Sequence, residues 1–226
     1  SISVSSMEYP IIQWRWKVNN VLQKGDVTSK DGDDYPARIY ITFALDPEQD
    51  LGKFGIPFET GTTAYVSSWR KLDPRTVPVE AKAAANYLNG MIARAEAKKN
   101  GFEHAVMLDT GGFIAEGGTE SVFLVKDNCL MTPATGTLLR SITRMSILEA
   151  ASESGIECLE GQLKPELLFE ADEMFVSSSP FKVLPVKKIN DHKFDDAPGP
   201  LTRKIAELIA AIAGGNDSRF KGWLYM

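Results

Sequence analysis

Three polar features of the sequence have the chemistry of a cofactor site. Lys82 places an amine in the stretch VPVEAKAAANYLNG, Glu116 ends an apolar strand directly before Gly117-Gly118, and SITR at 141–144 opens a predicted helix. A buried carboxylate needs a cationic or N–H partner, and the free N–H groups of a helix start can hold a phosphate. An amine, a carboxylate and an anion cradle are together the groups that pyridoxal phosphate requires.

Each feature also has an ordinary structural explanation. A lysine on a polar helix face is usually solvated, and a carboxylate at the end of a strand usually faces water. Ser141 or Thr143 could simply cap the helix, and the serines of VSSS at 176–179 are typical of a strand that meets a loop. Most α/β proteins contain all three groups somewhere, so spacing alone leaves both interpretations open.

Other patterns exclude several familiar chemistries. The glycine-containing DTGG and EGGTE form neither a Walker A loop nor a dinucleotide fingerprint, and the sequence has no G-x-S-x-G elbow. His104 and His192 lack the spacing of metal ligands and are predicted to be surface or loop residues. Cys129 and Cys158 suit neither a zinc site nor a disulfide framework, which favours a reducing, cytoplasmic environment.

Composition and charge are those of an ordinary soluble globular protein. The 226 residues are 43% hydrophobic and 24% charged, as in ordinary globular domains. The net charge of −5 and the absence of a long basic run argue against nucleic acid or an anionic membrane as a partner. No apolar stretch approaches the length of a membrane span, and the start SISVSSMEYP lacks the pattern of a signal peptide.

Strands and helices alternate along the chain, which predicts an α/β or α+β fold. A helix is predicted over residues 79–99, with Lys82 on a polar face and Tyr87, Leu88, Met91 and Ile92 on the opposite face. The stretch SVFLVKDNCLMTP predicts a hairpin with Asp127-Asn128 at its tip.

Two later helices are predicted from apolar residues that recur every three to four positions. In SITRMSILEAASESG these residues are Ile142, Met145, Leu148 and Ala151. In PLTRKIAELIAAIAGG they are Ile205, Leu208, Ile209 and Ile212.

From about residue 51 to the C-terminus, the chain resembles the class IV, or branched-chain-type, aminotransferases, which are fold type IV pyridoxal-phosphate enzymes. Lys82, Ala83, Asn86 and Tyr87 match the family pattern Lys-Ala-x-x-Asn-Tyr, and Glu116 follows at a family-like distance. AEGGTESVFLVKDNCLMTPATGTLLRSITR is similar to the family's signature region. The resemblance implies a large domain over residues 51–226, a pseudo-barrel of mixed strands with flanking helices.

The resemblance also implies a role for each residue that would meet the ring of the cofactor. Lys82 would be the Schiff-base lysine and then the acid–base group of the proton shift. Tyr87 would donate a hydrogen bond to the phenolate oxygen, and Glu116 would pair with the pyridine nitrogen.

The phosphate would be held by a second group of residues. Ile142 and Thr143 would donate backbone N–H groups, and the Thr143 hydroxyl would join them. Ser179 falls where the family often has a phosphate-binding threonine. Ser121 replaces the family's usual asparagine and Ser141 its usual glycine, two small changes that are expected to alter only loop geometry.

The implied activity is ping-pong transamination between a branched-chain-like α-amino acid and 2-oxoglutarate, in a cytoplasmic homodimer. A D-amino acid transaminase and a class IV lyase are less similar alternatives. An alternative of another class is a non-catalytic binding or interaction protein on a truncated aminotransferase scaffold.

Residues 1–50 are predicted to be a separate β-rich segment of unrelated type. They resemble uncharacterised bacterial proteins with a W-x-W-x-V…G-D-D-x-P-A-R-I-Y pattern, which is matched from Trp14 to Tyr40. The family's small N-terminal domain, which supplies a phosphate-binding arginine and much of the substrate pocket, is not recognisable. Impaired turnover is therefore expected.

Overall fold

The structure, a computed structural model, describes residues 58–223, which contain nine strands and four α-helices. The strands are β1 (Thr62–Val66), β2 (His104–Leu108), β3 (Ile114–Gly117), β4 (Ser121–Lys126), β5 (Cys129–Pro133), β6 (Cys158–Gly161), β7 (Glu173–Ser177), β8 (Leu184–Ile189) and β9 (His192–Lys193). The helices are α1 (Tyr87–Lys99), α2 (Ile142–Glu153), α3 (Leu167–Glu170) and α4 (Pro200–Ala213). Short 3₁₀ segments cover Phe58–Thr60, Ala84–Asn86 and Ser218–Trp223. Within this described range, no helix is long and apolar enough to cross a membrane.

These strands form one mixed sheet with the order β3-β2-β1-β8-β7-β4-β5-β6, and β9 pairs with β8. β1 runs parallel to both β2 and β8, and β5 runs parallel to β6. The other neighbouring strands are antiparallel. Mixed strands with flanking helices confirm the α/β class that the alternating pattern predicted.

Successive side chains of β4 enter two different apolar cores, because side chains alternate across a strand. Phe123 and Val125 belong to the core that also contains buried residues of α2 and α4, whereas Val122 and Leu124 belong to the core on the other side. The ring of Phe123 stacks on Phe175 of β7, with the centroids 4.7 Å apart. Helices α2 and α4 therefore cover one face of this half of the sheet.

Two local predictions are confirmed. Asp127 and Asn128 connect β4 to β5 with φ angles of 52° and 62°, the two left-handed conformations that a two-residue hairpin turn requires. In α4, Ile205, Ile209 and Ile212 are buried on the predicted apolar face.

Helix α1 differs from its prediction in both start and orientation. It begins at Tyr87 instead of residue 79, after a single 3₁₀ turn. Leu88 and Met91, predicted on the apolar face, are each 63% exposed. The face that packs on the sheet is instead made of small residues and one asparagine, namely Asn86, Gly90, Ala93 and Ala97.

The late start of α1 has a local cause. Ala81 N–H donates to the Pro78 carbonyl at 3.1 Å, and the side-chain amide of Asn86 donates to the same carbonyl at 3.1 Å. The backbone between these residues is thus fixed in a compact turn and does not form helical hydrogen bonds. These hydrogen bonds prevent a helix over the stretch, although its alanines have high helix propensity.

Helix α2 is also rotated from its prediction. Ile142 is 68% exposed, and Met145 and Leu148 are half-buried. The buried positions are Thr143, Arg144, Ile147, Ala150 and Ala151. A buried arginine shifts the inner face by about one residue, which apolar periodicity alone cannot show. The helix ends as predicted just before Gly155, whose φ is 72°.

A backbone-to-backbone contact joins α1 to the turn between β3 and β4. A Cβ atom placed on Gly90 would overlap the carbonyl oxygen of Gly118, and a Cβ on Gly118 would lie 2.9 Å from the carbonyl oxygen of Gly90. Real Cβ contacts are essentially never this short. The two glycines therefore set how closely the start of α1 approaches the end of β3.

We expect Gly90→Ala to lower the free energy of unfolding by about 1–3 kcal/mol, the usual cost of overpacking. The direction of the change in stability is informative, because helix propensity alone would make alanine about 1 kcal/mol more stable than glycine in a helix interior. Gly161→Ala is the matched control, since a Cβ there meets no atom within 4 Å. Urea denaturation measures both variants, and a Gly90→Ala protein as stable as the unchanged chain would contradict the close contact.

Candidate functional site

A cavity lies where four segments meet: the loop after β1, the start of α1, the β3–β4 turn and the approach to α2. Its empty space amounts to about 460 Å³, a figure that includes space open to solvent. Its ionisable and hydroxyl side chains are Lys71, Tyr87, Glu116, Thr119, Glu120, Ser121 and Ser141.

Glu116 is the buried acid of this cavity. It lies in β3, is 7% exposed, forms an ion pair with Lys71 and accepts the Leu139 N–H at 3.0 Å. Burial raises the pKa of Glu116 above its ordinary value, although the Lys71 ammonium and the Leu139 N–H act in the opposite direction. A solvent-facing carboxylate, the ordinary explanation for this residue, is therefore wrong.

Lys71 was missed by sequence reasoning. The residue is 6% exposed. Its backbone N–H donates to the Leu108 carbonyl at 2.8 Å, so the end of β2 holds the backbone of Lys71 in place. Its stretch WRKLDP has the composition of a polar loop, and the carboxylate that it meets comes from a distant strand. No local signal could have identified it.

Tyr87 lies beside Glu116 in the same cavity, at the first residue of α1. Burial and the negative charge of Glu116 both raise the pKa of the Tyr87 hydroxyl. The hydroxyl therefore keeps its proton over the physiological pH range and is available as a hydrogen-bond donor.

Lys82 does not join these residues. It is exposed, it lies in the irregular segment before the 3₁₀ turn, and the cavity is lined by its neighbour Ala81 but not by Lys82 itself. Arg140 N–H donates to the Glu80 carbonyl at 3.4 Å, which ties this segment to the approach to α2. The structure thus brings Tyr87 and Glu116 together and leaves the predicted lysine at the rim.

The residues predicted to hold a phosphate are close together. Thr143, in the first turn of α2, and Ser179, just after β7, have their hydroxyl oxygens 3.2 Å apart. Ser141 caps the helix by accepting the Arg144 N–H at 3.3 Å, so the capping interpretation of SITR is confirmed, and phosphate binding there stays a prediction. Capping leaves the N–H groups of Ile142 and Thr143 without partners inside the helix.

Arg144 secures the start of α2 against the sheet and was also missed as a structural residue. It is 1% exposed, and its guanidinium donates to the Thr132 hydroxyl at 3.3 Å, the Pro133 carbonyl at 2.6 Å and the Glu160 carboxylate at 2.5 Å. These acceptors belong to β5 and β6, so hydrogen bonds to the sheet fix the direction of the first turn of α2.

Glu120 organises the turn that follows Glu116. Its carboxylate lies 3.1 Å from His104 Nδ1 and 3.7 Å from the Arg94 guanidinium, and it accepts the Thr119 N–H at 2.9 Å. Burial acts to raise the pKa of Glu120, but the hydrogen bonds from His104 and Thr119 outweigh it and lower that pKa.

The surface position predicted for His104 is wrong. His104 is 3% exposed within β2, and its partner Glu120 is 4% exposed. An ionised carboxylate can only accept, so Nδ1 of His104 carries a proton. The polar neighbour that makes this burial tolerable could not be read from the sequence. Across residues 58–223, no group of three or more His, Cys, Asp or Glu residues could hold a metal ion.

The two carboxylates should give opposite pH profiles. Because the folded-state pKa of Glu116 is raised above 4.5, its contribution to stability falls as pH rises through 4.5 towards the folded value. Because that of Glu120 is lowered, its contribution is present above 4.5 and is lost as pH falls through the folded value. We expect Glu116→Gln to gain stability relative to the unchanged chain as pH rises, and Glu120→Gln to lose it, in urea denaturation between about pH 3.5 and 7. Parallel profiles for the two variants would contradict these assignments.

Comparison with protein families identifies one match over most of the chain. A family model described as amino-transferase class IV matches residues 9–189. The match begins inside the segment 1–50 that was predicted to be of unrelated type, and both that resemblance and the division at residue 50 stay predictions. The structure describes none of residues 1–57.

Known proteins that are similar to this chain include two bacterial aminotransferases. The branched-chain-amino-acid aminotransferase of Escherichia coli (strain K12) is 38% identical over 168 residues, which cover 74% of this chain and 54% of that protein. A probable branched-chain-amino-acid aminotransferase of Aquifex aeolicus is 32% identical over 179 residues, which cover 77% of this chain and 58% of that protein. The chain thus spans about half the length of the curated relatives that it matches.

Solved structures give the same result. The branched-chain amino acid aminotransferase of Thermobaculum terrenum, in its PLP-form, matches 73% of this chain and 55% of its own with a TM-score of 0.71 and 34% identity. The enzyme of Thermoproteus uzoniensis, solved with norvaline, matches the same shares with a TM-score of 0.70 and 36% identity.

Proposed function

This chain belongs to the class IV aminotransferases, and we propose that it binds pyridoxal 5′-phosphate in the cavity at Glu116 and transfers amino groups between a branched-chain-like α-amino acid and 2-oxoglutarate. The observation that carries the proposal is a buried carboxylate that shares a cavity with Tyr87 and with the approach to the α2 helix start. The relatives named for branched-chain substrates support the choice of amino acid.

The residues of the cavity suit the cofactor. When bound, the cofactor supplies a protonated pyridine ring that withdraws electrons from the substrate. Glu116, buried and already paired with a cation, would hold the proton on the ring nitrogen. Tyr87, whose raised pKa keeps its hydroxyl protonated, would donate to the phenolate oxygen.

The anionic end of the cofactor would lie at the start of α2. The N–H groups of Ile142 and Thr143 are available there, and a helix N-terminus favours negative charge. The hydroxyls of Thr143 and Ser179, 3.2 Å apart, would complete the cradle. Arg144 supports this cradle without touching it, because it fixes the first turn of the helix from the side of the sheet.

Lys82 is proposed as the residue that attaches the cofactor and then carries the proton in the reaction. Ala81 already lines the cavity, and a lysine amine lies at the end of a flexible four-carbon stem. The proposal therefore requires the side chain of Lys82 to turn inward from its exposed position.

One observation favours a second candidate function. Because Lys82 is exposed and does not line the cavity, the chain could bind a phosphorylated ligand without chemical turnover. This candidate is a binding protein on an aminotransferase scaffold.

The proposed setting is a homodimer in the cytoplasm. Leu88 and Met91 lie one helical turn apart on the outer face of α1, and each is 63% exposed, so a second copy would remove apolar surface from water. Cys129 and Cys158 are free thiols, as expected in a reducing compartment.

The attachment of the cofactor is tested by the visible spectrum of the full chain, purified with pyridoxal 5′-phosphate and treated with borohydride. We expect a reducible chromophore whose label maps to Lys82, and its loss in Lys82→Ala. Lys98→Ala, an exposed lysine at the end of α1, is the control and should keep the chromophore. No chromophore in the unchanged chain would refute cofactor attachment, and a chromophore retained by Lys82→Ala would refute the choice of lysine.

The two candidate functions are separated by an amino-transfer assay with leucine, isoleucine, valine and their D-isomers. Transfer from the L-isomers supports the aminotransferase, whereas transfer from the D-isomers would favour the D-amino acid alternative. A reducible chromophore without any transfer would favour the binding protein.

The phosphate cradle is tested with two forms of the ligand. Hydrogen bonds to charged groups contribute about 1.5–3 kcal/mol, so Thr143→Val and Ser179→Ala should each weaken pyridoxal 5′-phosphate by roughly 10- to 100-fold. Affinity for pyridoxal, which lacks the phosphate, should not change. Ser178→Ala is the matched control beside Ser179. Equal losses for both ligands would show that the variants disturb the fold and not a phosphate contact.

A further inference from the structure

Two lysines lie near the cavity, and their environments are opposite. Lys82 is exposed at the rim, whereas Lys71 is 6% exposed and lines the interior with its amine against Glu116. A long, strongly hydrated side chain is rarely buried unless its charge is paired. The burial of Lys71 therefore depends on Glu116 as much as the burial of Glu116 depends on Lys71.

Four groups of the described residues bear on the charge of Glu116. Lys71 contributes a cation from the loop after β1, and Leu139 contributes a neutral N–H from the approach to α2. Tyr87 lies beside it at the start of α1, and Glu120 adds a like charge from the following turn. Burial and the charge of Glu120 both favour the neutral form of Glu116. Among these four groups, Lys71 is the one whose positive charge favours the ionised form.

We propose that Lys71 is a positioning residue, which keeps Glu116 ionised and directed into the cavity before any ligand binds. The proposal rests on the proposed function in one respect, because the ligand group that would pair with Glu116 is the ring nitrogen of the proposed cofactor. The proposal also gives the two lysine amines different roles. Lys71 holds the Glu116 carboxylate in place, and Lys82 provides the reactive amine.

The geometry explains why this task falls to a buried amine. Glu116 Oε2 is occupied by the Leu139 N–H, and Oε1 by Lys71. With both oxygens held, the carboxylate cannot rotate freely away from the cavity. A carboxylate that reached the cavity without its cation would take up a proton more readily, because burial alone favours the neutral acid. A neutral Glu116 could not keep a proton on the ring nitrogen by charge pairing.

The test compares four forms of the full chain without added cofactor: unchanged, Lys71→Met, Lys71→Arg and the double variant Lys71→Met/Glu116→Gln. The first readout is the pKa of Glu116, measured from its side-chain carboxyl carbon by NMR. We expect Lys71→Met to raise this pKa and Lys71→Arg to leave it near that of the unchanged chain. The second readout is the midpoint of thermal unfolding between about pH 5 and 8. The loss caused by Lys71→Met should grow with pH, since the unpaired charge appears as Glu116 ionises.

The double variant keeps the test informative if Lys71→Met is too unstable for NMR. Removing both charges should recover much of the lost midpoint and abolish its growth with pH. An unchanged pKa of Glu116 in Lys71→Met would overturn the proposal. Equal losses in Lys71→Arg and Lys71→Met, at every pH, would also overturn it, because they would assign Lys71 to packing.

A parallel titration with pyridoxal 5′-phosphate separates this proposal from the proposed function. If Lys71 sets the charge of Glu116, affinity for the cofactor should fall at least about tenfold in Lys71→Met and be restored in Lys71→Arg. An unchanged chain that never binds the cofactor, yet shows the expected Glu116 pKa values, would refute the proposed function and leave the role of Lys71 intact. Cofactor binding that ignores Lys71→Met would refute the role of Lys71 and leave the function intact.

Discussion

A carboxylate that is more than nine-tenths buried needs partners from the protein, and the partners of Glu116 come from two segments that are distant in sequence. Lys71 follows β1, and Leu139 precedes α2. Each contact draws one wall of the cavity towards β3. The charge of one side chain thus fixes the separation between a loop, a strand and the approach to a helix, and the candidate site has its shape because that charge is satisfied.

A second buried carboxylate lies only one turn away and is treated differently. Glu120 is surrounded by donors from β2, α1 and its own turn, so it stays ionised as a structural group. Glu116 has fewer donors, although both carboxylates line the cavity. The close approach of Gly90 and Gly118 holds the two environments side by side. The two acids therefore differ in the donors that hold them and in the direction of their pKa shifts, upward for Glu116 and downward for Glu120.

Sequence patterns predicted well what is decided locally. Asp127 and Asn128 have the conformational freedom that a tight hairpin demands, and α4 is apolar on one side because only that side is buried. The start of α1 could not be predicted, since the alanines there favour a helix and the side chain of Asn86 instead closes a turn on Pro78. Rotation of α2 depends on Arg144, whose acceptors lie on strands that precede and follow it.

The residues of the candidate site also divide into those that a sequence pattern predicted and those that it could not. Four residues were named from a family pattern. Tyr87 and Glu116 line the cavity, whereas Thr143 and Ser179 contact each other and do not line it. Lys71 has no motif and acquires its place only through a distant carboxylate. His104 was assigned to the surface because a lone histidine in the sequence does not show its buried partner Glu120. Charge pairs between distant segments are therefore the part of this site that only three-dimensional structure reveals.

The central position of β1 has a consequence for the order in which the protein can assemble on the ribosome. Its Val66 N–H donates to the side chain of Asn190, which follows it by 124 residues, and β8 forms the parallel neighbour on that side. At roughly 5–20 residues per second, translation leaves this edge of β1 unpaired for about 6–25 s. Ser179 emerges just before β8, so the contact between Thr143 and Ser179 and the last neighbour of β1 form almost together. Until β8 emerges, the backbone groups on this edge of β1 have no strand partner, which is the condition under which an edge pairs with other chains.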